Sequence, residues 1–299
     1  MTKYLIVYNP TAGKNSKRKK LEDVVAVLSD GGKNEVDTFV TEKRGDATEK
    51  AKRAAPYDVI AVVGGDGTLN EVLNGILTID ESDRPAVVYV AGGTTNQTAQ
   101  AFGLPTDLKG LSALLQKGEY RPVDLGQFED RAFIDVVAFG YGAESSLRTP
   151  QKLKNKVGFF AFVLNQIRYL FHLRRIPMRI RHDGETRIGE FVFGNLLNVA
   201  MISSFVHLDD VGVKMDDGRL DLILIDDTVH FFGLLHYMIR LARKKLNQKK
   251  IYHIPGKEFE LEFFGERSFL VDGERVNVID RAHVEVLPHA IKLLLPRLV

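Results

Sequence analysis

Through the first 125 residues, apolar β-branched runs alternate with amphipathic stretches. The apolar runs predict strands at Tyr4 to Tyr8, Glu35 to Val40, Val59 to Val63 and Val87 to Ala91. The stretches between and after them predict helices at Lys17 to Ser29, Ala47 to Ala55, Leu69 to Leu77, Gln97 to Phe102 and Leu108 to Gln116. Such alternation is the mark of a parallel sheet covered by helices, so the predicted class is α/β with a Rossmann-like amino-terminal domain. Beyond Gly126 the period changes to short alternating strands, among them Phe191 to Met201, Leu220 to Ile225, Phe259 to Phe264 and Ser268 to Val271. That pattern predicts an antiparallel β-sandwich, with helical interruptions near Lys152 to Leu173 and Phe231 to Lys245. No repeat or low-complexity linker separates the halves; residues 1–125, joined by 288–299, are expected to form one domain and 126–287 the other.

Composition narrows the class. A chain of 299 residues exceeds the size at which one core usually stops growing. Hydrophobic residues at 44% and charged residues at 27% suit a globular protein with a substantial core. The net charge of +2 does not by itself point to nucleic acid, and the absence of cysteine excludes disulfides, thiolate metal ligands and a thiol nucleophile. The amino terminus runs from a short apolar stretch into Asn9-Pro10 and reads as a first strand, not a signal peptide. Apolar stretches such as Val157 to Leu164 are far shorter than the roughly 20 residues that cross a bilayer, so a soluble, cytoplasmic protein with peripheral membrane contact is expected.

The strongest chemical signal is Val63-Gly64-Gly65-Asp66-Gly67-Thr68-Leu69-Asn70-Glu71, where a buried strand enters a glycine turn that opens a helix. Glycine allows close backbone approach, and the unpaired N–H groups of a helix start attract phosphate. The dinucleotide fingerprint fails because Asn70 stands where its third glycine belongs. Asp66 is the carboxylate that a metal-bound phosphate would want nearby. The plainer reading of the turn is a tight bend that needs glycine for its own sake. A second loop, Asn9-Pro10-Thr11-Ala12-Gly13-Lys14, follows the first strand and is not a Walker A loop, since Tyr8 and Asn15 occupy its defining positions. A third, Gly92-Gly93-Thr94-Thr95-Asn96, follows the fourth strand. All three belong at the carboxyl edge of one sheet, where open α/β folds bind ligands.

These loops, with Asp216-Asp217-Gly218-Arg219-Leu220-Asp221 and Val271-Asp272-Gly273-Glu274, resemble in order the bacterial diacylglycerol kinase family, which includes sphingosine-kinase-like enzymes. Gly45-Asp46-Ala47-Thr48 and Thr149-Pro150-Gln151-Lys152-Leu153-Lys154 strengthen the likeness to the soluble enzymes of Gram-positive bacteria. The resemblance implies an ATP-dependent, magnesium-requiring lipid kinase with a cleft between its two domains, in general a homodimer. It implies ATP binding by Asn9, Pro10, Thr11, Ala12, Gly13, Thr41, Gly65, Asp66, Gly67, Thr68, Leu69, Asn70, Glu71 and Thr94. Glu274 would accept the proton of the lipid hydroxyl, and a structural magnesium would be held by the Asp217 carboxylate with the carbonyls of Lys214 and Arg219. One departure is Gln97, where the family commonly carries Asp; an amide binds a hard cation less strongly, and Asp124 is the candidate to supply a carboxylate instead.

Phosphoryl transfer is chiefly positioning and charge neutralisation. Asp66 would orient the magnesium or the incoming hydroxyl and, beside the phosphate turn, is a second candidate for the base, while Glu274 taken alone reads as a hairpin glutamate. Basic residues cluster at Lys14 to Lys20, at Lys152, Lys154 and Lys156, and between Arg240 and Lys250. Each is either a solvated helix face or a patch for the anionic inner face of a membrane. No groove-reading element accompanies them, so nucleic acid is not expected, and the eight histidines show no zinc spacing. Diacylglycerol is the expected acceptor; the alternatives are another lipid alcohol such as a sphingoid base, or a catalytically weak nucleotide or lipid sensor.

Overall fold

Burial on both faces makes the first strands. In β1 (Lys3–Tyr8) residues Leu5, Ile6 and Val7 have no exposed surface, and every position of β3 (Val59–Gly64) is buried. The computed structural model describes residues 1–12, 17–93, 96–140, 175–199, 201–202, 206–207, 213–226 and 251–297. Two compact units emerge, Met1–Leu125 with Leu287–Val299, and Gly126–Val286.

In the first unit, α1 (Lys17–Ser29) leads to β2 (Glu35–Val40), and α2 (Asp46–Ala51) leads to β3. Next come α3 (Asp66–Ile76), β4 (Ala86–Ala91), α4 (Gln97–Ala101) and α5 (Leu108–Lys117). The strands pair in parallel: Lys3↔Glu35 between β1 and β2, Tyr8↔Val63 between β1 and β3, Gly64↔Ala91 between β3 and β4. Leu293, near the end of the chain's last strand, pairs in parallel with Val87. β2 lies at the end of this order, and its mostly exposed positions suit an edge. Asp107 caps α5 by accepting the Gly110 N–H at 2.7 Å. The α2–α3 crossing is very close: a Cβ on Gly75 would lie 2.5 Å from the Thr48 carbonyl, and the Thr48 hydroxyl donates to the Glu71 carbonyl at 2.9 Å.

The second unit is antiparallel. The strand β5 (Glu119–Phe128) enters it and pairs with β6 (Arg131–Phe133), and β7 (Val136–Gly140), β8 (Ile176–His182) and β9 (Glu185–Leu197) follow. The two-residue strands β10 (Met201–Ile202) and β11 (Val206–His207) pair with each other. Then come β12 (Leu220–Asp226), β13 (Ile251–Gly256), β14 (Glu258–Val271) and β15 (Glu274–Leu295). The sequence divides β14 into two strands because its alternation breaks; the register shifts between Glu262 and Glu266, where Gly265 has φ of 70°. The core is aromatic: the Phe269 ring lies 4.8 Å from that of Phe128 and 5.6 Å from those of Phe139 and Phe263. The segments read as helices at Lys152 to Leu173 and Phe231 to Lys245 fall outside the described residues. Among those described, no helix is long and apolar enough to cross a membrane.

Candidate nucleotide and catalytic sites

Parallel register brings three loops to one edge of the first unit's sheet. The Asn9 N–H donates to the Val63 carbonyl at 2.9 Å, Thr41 N–H to the Tyr8 carbonyl at 2.9 Å, and Gly92 N–H to the Gly64 carbonyl at 2.7 Å. Each bond continues a strand pairing past the last strand residue and fixes where its loop starts. The Asn9 side chain then works in both directions. Its Oδ1 accepts the Thr11 N–H at 2.9 Å and hydroxyl at 2.8 Å, closing a tight Asx turn, and its Nδ2 donates to the Thr68 hydroxyl at 2.9 Å. The first loop is thereby tied to the first turn of α3.

The Gly64–Thr68 turn and the loop that starts at Gly92 touch backbone to backbone. A Cβ added to Gly93 would lie 2.9 Å from the Gly65 Cα, so a side chain at Gly93 would push the two loops apart. Asp66 holds them together. Its Oδ2 accepts the Gln97 N–H at 3.0 Å; its Oδ1 accepts the Thr98 N–H at 3.3 Å and the Tyr89 hydroxyl at 3.1 Å. A residue of the Gly64–Thr68 turn therefore caps α4, whose own N-cap residue Asn96 sits in left-handed conformation at φ 50° without a side-chain cap. Gly67 is exposed, and nothing lies within 4 Å of where its Cβ would be. Gly65 is extended, at φ −92° and ψ 178°, and delivers the chain into α3 with its first N–H groups lacking helical partners. Leu69 is fully buried, so its side chain belongs to the core, and the Asn70 carbonyl and Oδ1 accept from Asn74. Thr41 is buried at the start of a loop closed by Asp46, which accepts the N–H groups of Glu42 and Lys43, both at 2.9 Å. Those two bonds, Lys43 foremost, hold the Asp46 carboxyl below the usual carboxylate range. Pro10, Thr11 and Ala12 continue the Asn9 loop after β1, whereas Gly13 and Thr94 lie outside the described residues.

The other candidate catalytic groups lie in the second unit. Asp272 and Gly273, at φ 44° and 86°, form the tight turn between β14 and β15, and Glu274 pairs with Val271 directly after it. The Glu274 carboxylate forms an ion pair with Arg131. Asp217 is exposed and closes its own turn by accepting the Arg219 N–H at 3.1 Å, with Gly218 at φ 69°. A carboxylate and two carbonyls are hard oxygen donors of the kind magnesium takes, so the composition of Lys214, Asp217 and Arg219 fits that ion. Glu258, Glu260 and His283 gather separately across β14 and β15 through the register Glu260↔His283. Sequence reasoning missed Tyr89 and Arg131. Neither sits in a recognisable motif, and only the folded register brings them to Asp66 and Glu274.

Comparison with known proteins gives the family. Residues 3–128 match the diacylglycerol kinase catalytic domain. A diacylglycerol kinase of Staphylococcus saprophyticus is 34% identical over 275 residues, covering 90% of this chain and 88% of the relative. One from Staphylococcus aureus strain MRSA252 is also 34% identical, covering 90% and 85%. A crystal structure from Bacillus anthracis strain Sterne, described as a candidate diacylglycerol kinase, superposes with a TM-score of 0.81 at 26% identity, covering 98% of this chain and 95% of that one. The chain belongs to the diacylglycerol kinase family. It is accordingly an enzyme of the lipid kinase class, a phosphotransferase with an alcohol acceptor.

Proposed function

We propose that the chain transfers the γ-phosphoryl group of ATP to the free hydroxyl of diacylglycerol, producing phosphatidic acid and ADP in a magnesium-dependent reaction. The observation that carries the nucleotide half is the pair of glycine turns packed on each other and fastened by Asp66. Two backbones held that close leave N–H groups and open space, not side chains, facing a ligand, which suits a polyphosphate. The acceptor half is supported by the Staphylococcus relatives, whose names give diacylglycerol as the substrate.

In this reading, Asn9 to Gly13, Thr41, Gly65 to Glu71 and Thr94 bind the nucleotide, with Leu69 contributing through its backbone. Glu274 takes the hydroxyl proton as the oxygen–phosphorus bond forms, the bond from the γ-phosphorus to the bridging oxygen breaks, and ADP departs with that electron pair. Asp66 acts from the glycine turn by holding the third loop in place. Lys214, Asp217 and Arg219 are the residues that would hold a structural magnesium, an ion whose charge offsets that of phosphate. The amino-terminal residues 1–125 with 288–299 serve as the nucleotide domain and residues 126–287, read as a sandwich, as the lipid domain. The reading includes a cytoplasmic enzyme in peripheral contact with the inner face of the membrane, and a homodimer is the expected assembly.

Incubation of the purified chain with labelled ATP, magnesium and dispersed diacylglycerol, sphingoid base and other lipid alcohols tests the proposal. Labelled phosphatidic acid supports it. Label on a different lipid alone would move the acceptor, and no labelled lipid at all would remove the catalytic reading.

A further inference from the structure

The Asp-Gly-Glu turn is built into an unusually well-fixed piece of the second unit. The Asp272 carboxylate accepts three consecutive backbone N–H groups, from Ile134 at 2.8 Å and from Asp135 and Val136 at 3.0 Å each. The Asp272 N–H returns a bond to the Val136 carbonyl at 3.0 Å. From the other side Asn198, fully buried, donates its Nδ2 to the Ile134 carbonyl at 3.0 Å and its N–H to the Asp135 carbonyl at 3.1 Å. The segment from Ile134 to Val136 is thus clamped between Asp272 and Asn198. Arg131 opens β6 three residues earlier, with its backbone registered against Phe128. Turn and arginine therefore belong to one block, and from that block the Arg131 guanidinium reaches the Glu274 carboxylate.

We propose that Arg131 is a positioning residue for Glu274, an inference that rests on Glu274 being the proton acceptor. A glutamate at the first position of a strand has three side-chain torsions to fix, and ordering them opposes any single productive pose. A guanidinium anchored elsewhere limits where the carboxylate it pairs with can lie. The two side chains are 24% and 25% exposed. That is shielded enough for the pair to hold, and open enough for the carboxylate to meet a ligand. Proton transfer requires the base within hydrogen-bonding reach of the hydroxyl, so a carboxylate free to swing spends little time in the reactive pose. Arg131 acts on the rate through Glu274 and has no part in holding ATP.

The test is a double-mutant cycle read by kcat, by KM for ATP and by thermal midpoint. Arg131→Ala should lower kcat by about 10- to 100-fold, a share of the roughly 100- to 10,000-fold that a general base supplies. KM for ATP should stay within about twofold, and Arg131→Lys, which keeps the charge but not the fork, should recover part of the rate. Single-turnover measurement of Arg131→Ala with Glu274→Gln should give the same rate as Glu274→Gln alone, because there is no longer a base to orient. Losses that multiply, or a raised KM for ATP alongside a fallen thermal midpoint, would assign Arg131 a merely structural role and overturn the inference. Should the alanine variant not fold, Arg131→Gln and Arg131→Lys carry the same cycle. Unimpaired Arg131→Ala beside an inactive Glu274→Gln would overturn this inference alone; full activity of Glu274→Gln would overturn the reading of the base on which it rests.

Discussion

The Asp66 carboxylate accepts the backbone N–H of Gln97 at 3.0 Å, joining two loops 31 residues apart in sequence. A carboxylate that also takes the Thr98 N–H and the Tyr89 hydroxyl has its oxygens directed into the protein. Asp66→Ala should therefore loosen the third loop before it alters chemistry. The expected outcome is a rise of at least tenfold in KM for ATP and a loss of stability of about 1–2 kcal/mol from the missing helix cap, checked by steady-state kinetics and denaturant melts. A variant with normal KM and stability but no turnover would show instead that Asp66 serves the reaction directly.

Two glycines in the same pair of turns should behave oppositely. Gly93→Ala brings a Cβ to 2.9 Å from the Gly65 Cα and must push the loops apart, at about 1–3 kcal/mol by analogy with overpacked cores. Gly67→Ala meets nothing within 4 Å and lies in a helix, where alanine is preferred, so the fold should be unaffected or slightly stabilised. If ATP binding nonetheless weakens in Gly67→Ala, measured by calorimetry, that loss reports the approach of the nucleotide to the turn.

Much of the first unit is legible in the sequence because parallel strands buried on both faces read as continuous apolar runs, and glycine turns mark their ends. Thus β1, β3 and β4 are predicted within a residue of their observed bounds. In the second unit, β15 runs for 22 residues through polar and apolar positions alike, and β8 alternates arginine with buried apolar residues. Their pairing is set by long-range register that no local pattern contains. The same is true of side-chain partners. Asp66 and Glu274 are conspicuous in their motifs, but what each one holds, Gln97 and Arg131, is fixed only by the fold.

The loop after Thr41 carries a pH dependence of known sign. Asp46 has a folded pKa below its ordinary value because its carboxylate accepts the Lys43 and Glu42 N–H groups. Its contribution to stability is therefore complete above the unfolded value of about 3.9 and is lost as pH falls through the lower folded value. Amide resonances of Glu42 and Lys43 should move together over that acid range, and the transition should vanish in Asp46→Asn. Unchanged amides in the wild type between about pH 5 and 2 would contradict the assignment.

Removal of the Asp217 carboxylate should act on magnesium and not on the nucleotide turn. In Asp217→Ala the magnesium concentration for half-maximal activity should rise at least several-fold while ATP affinity measured without turnover stays within about twofold, since the loss is one charged oxygen donor. A purely hairpin role for Asp217 would instead lower the thermal midpoint equally with and without magnesium.

The central claim is that a nucleotide site built on two mutually packed glycine turns delivers phosphate to a lipid alcohol. Its most direct test is the transfer of label from γ-labelled ATP to a lipid panel by the purified wild-type chain and Gly93→Ala in parallel. Labelled phosphatidic acid from diacylglycerol, requiring magnesium, is expected with the wild type, and a strong reduction with Gly93→Ala. Wild-type protein that binds ATP but labels no lipid would contradict it.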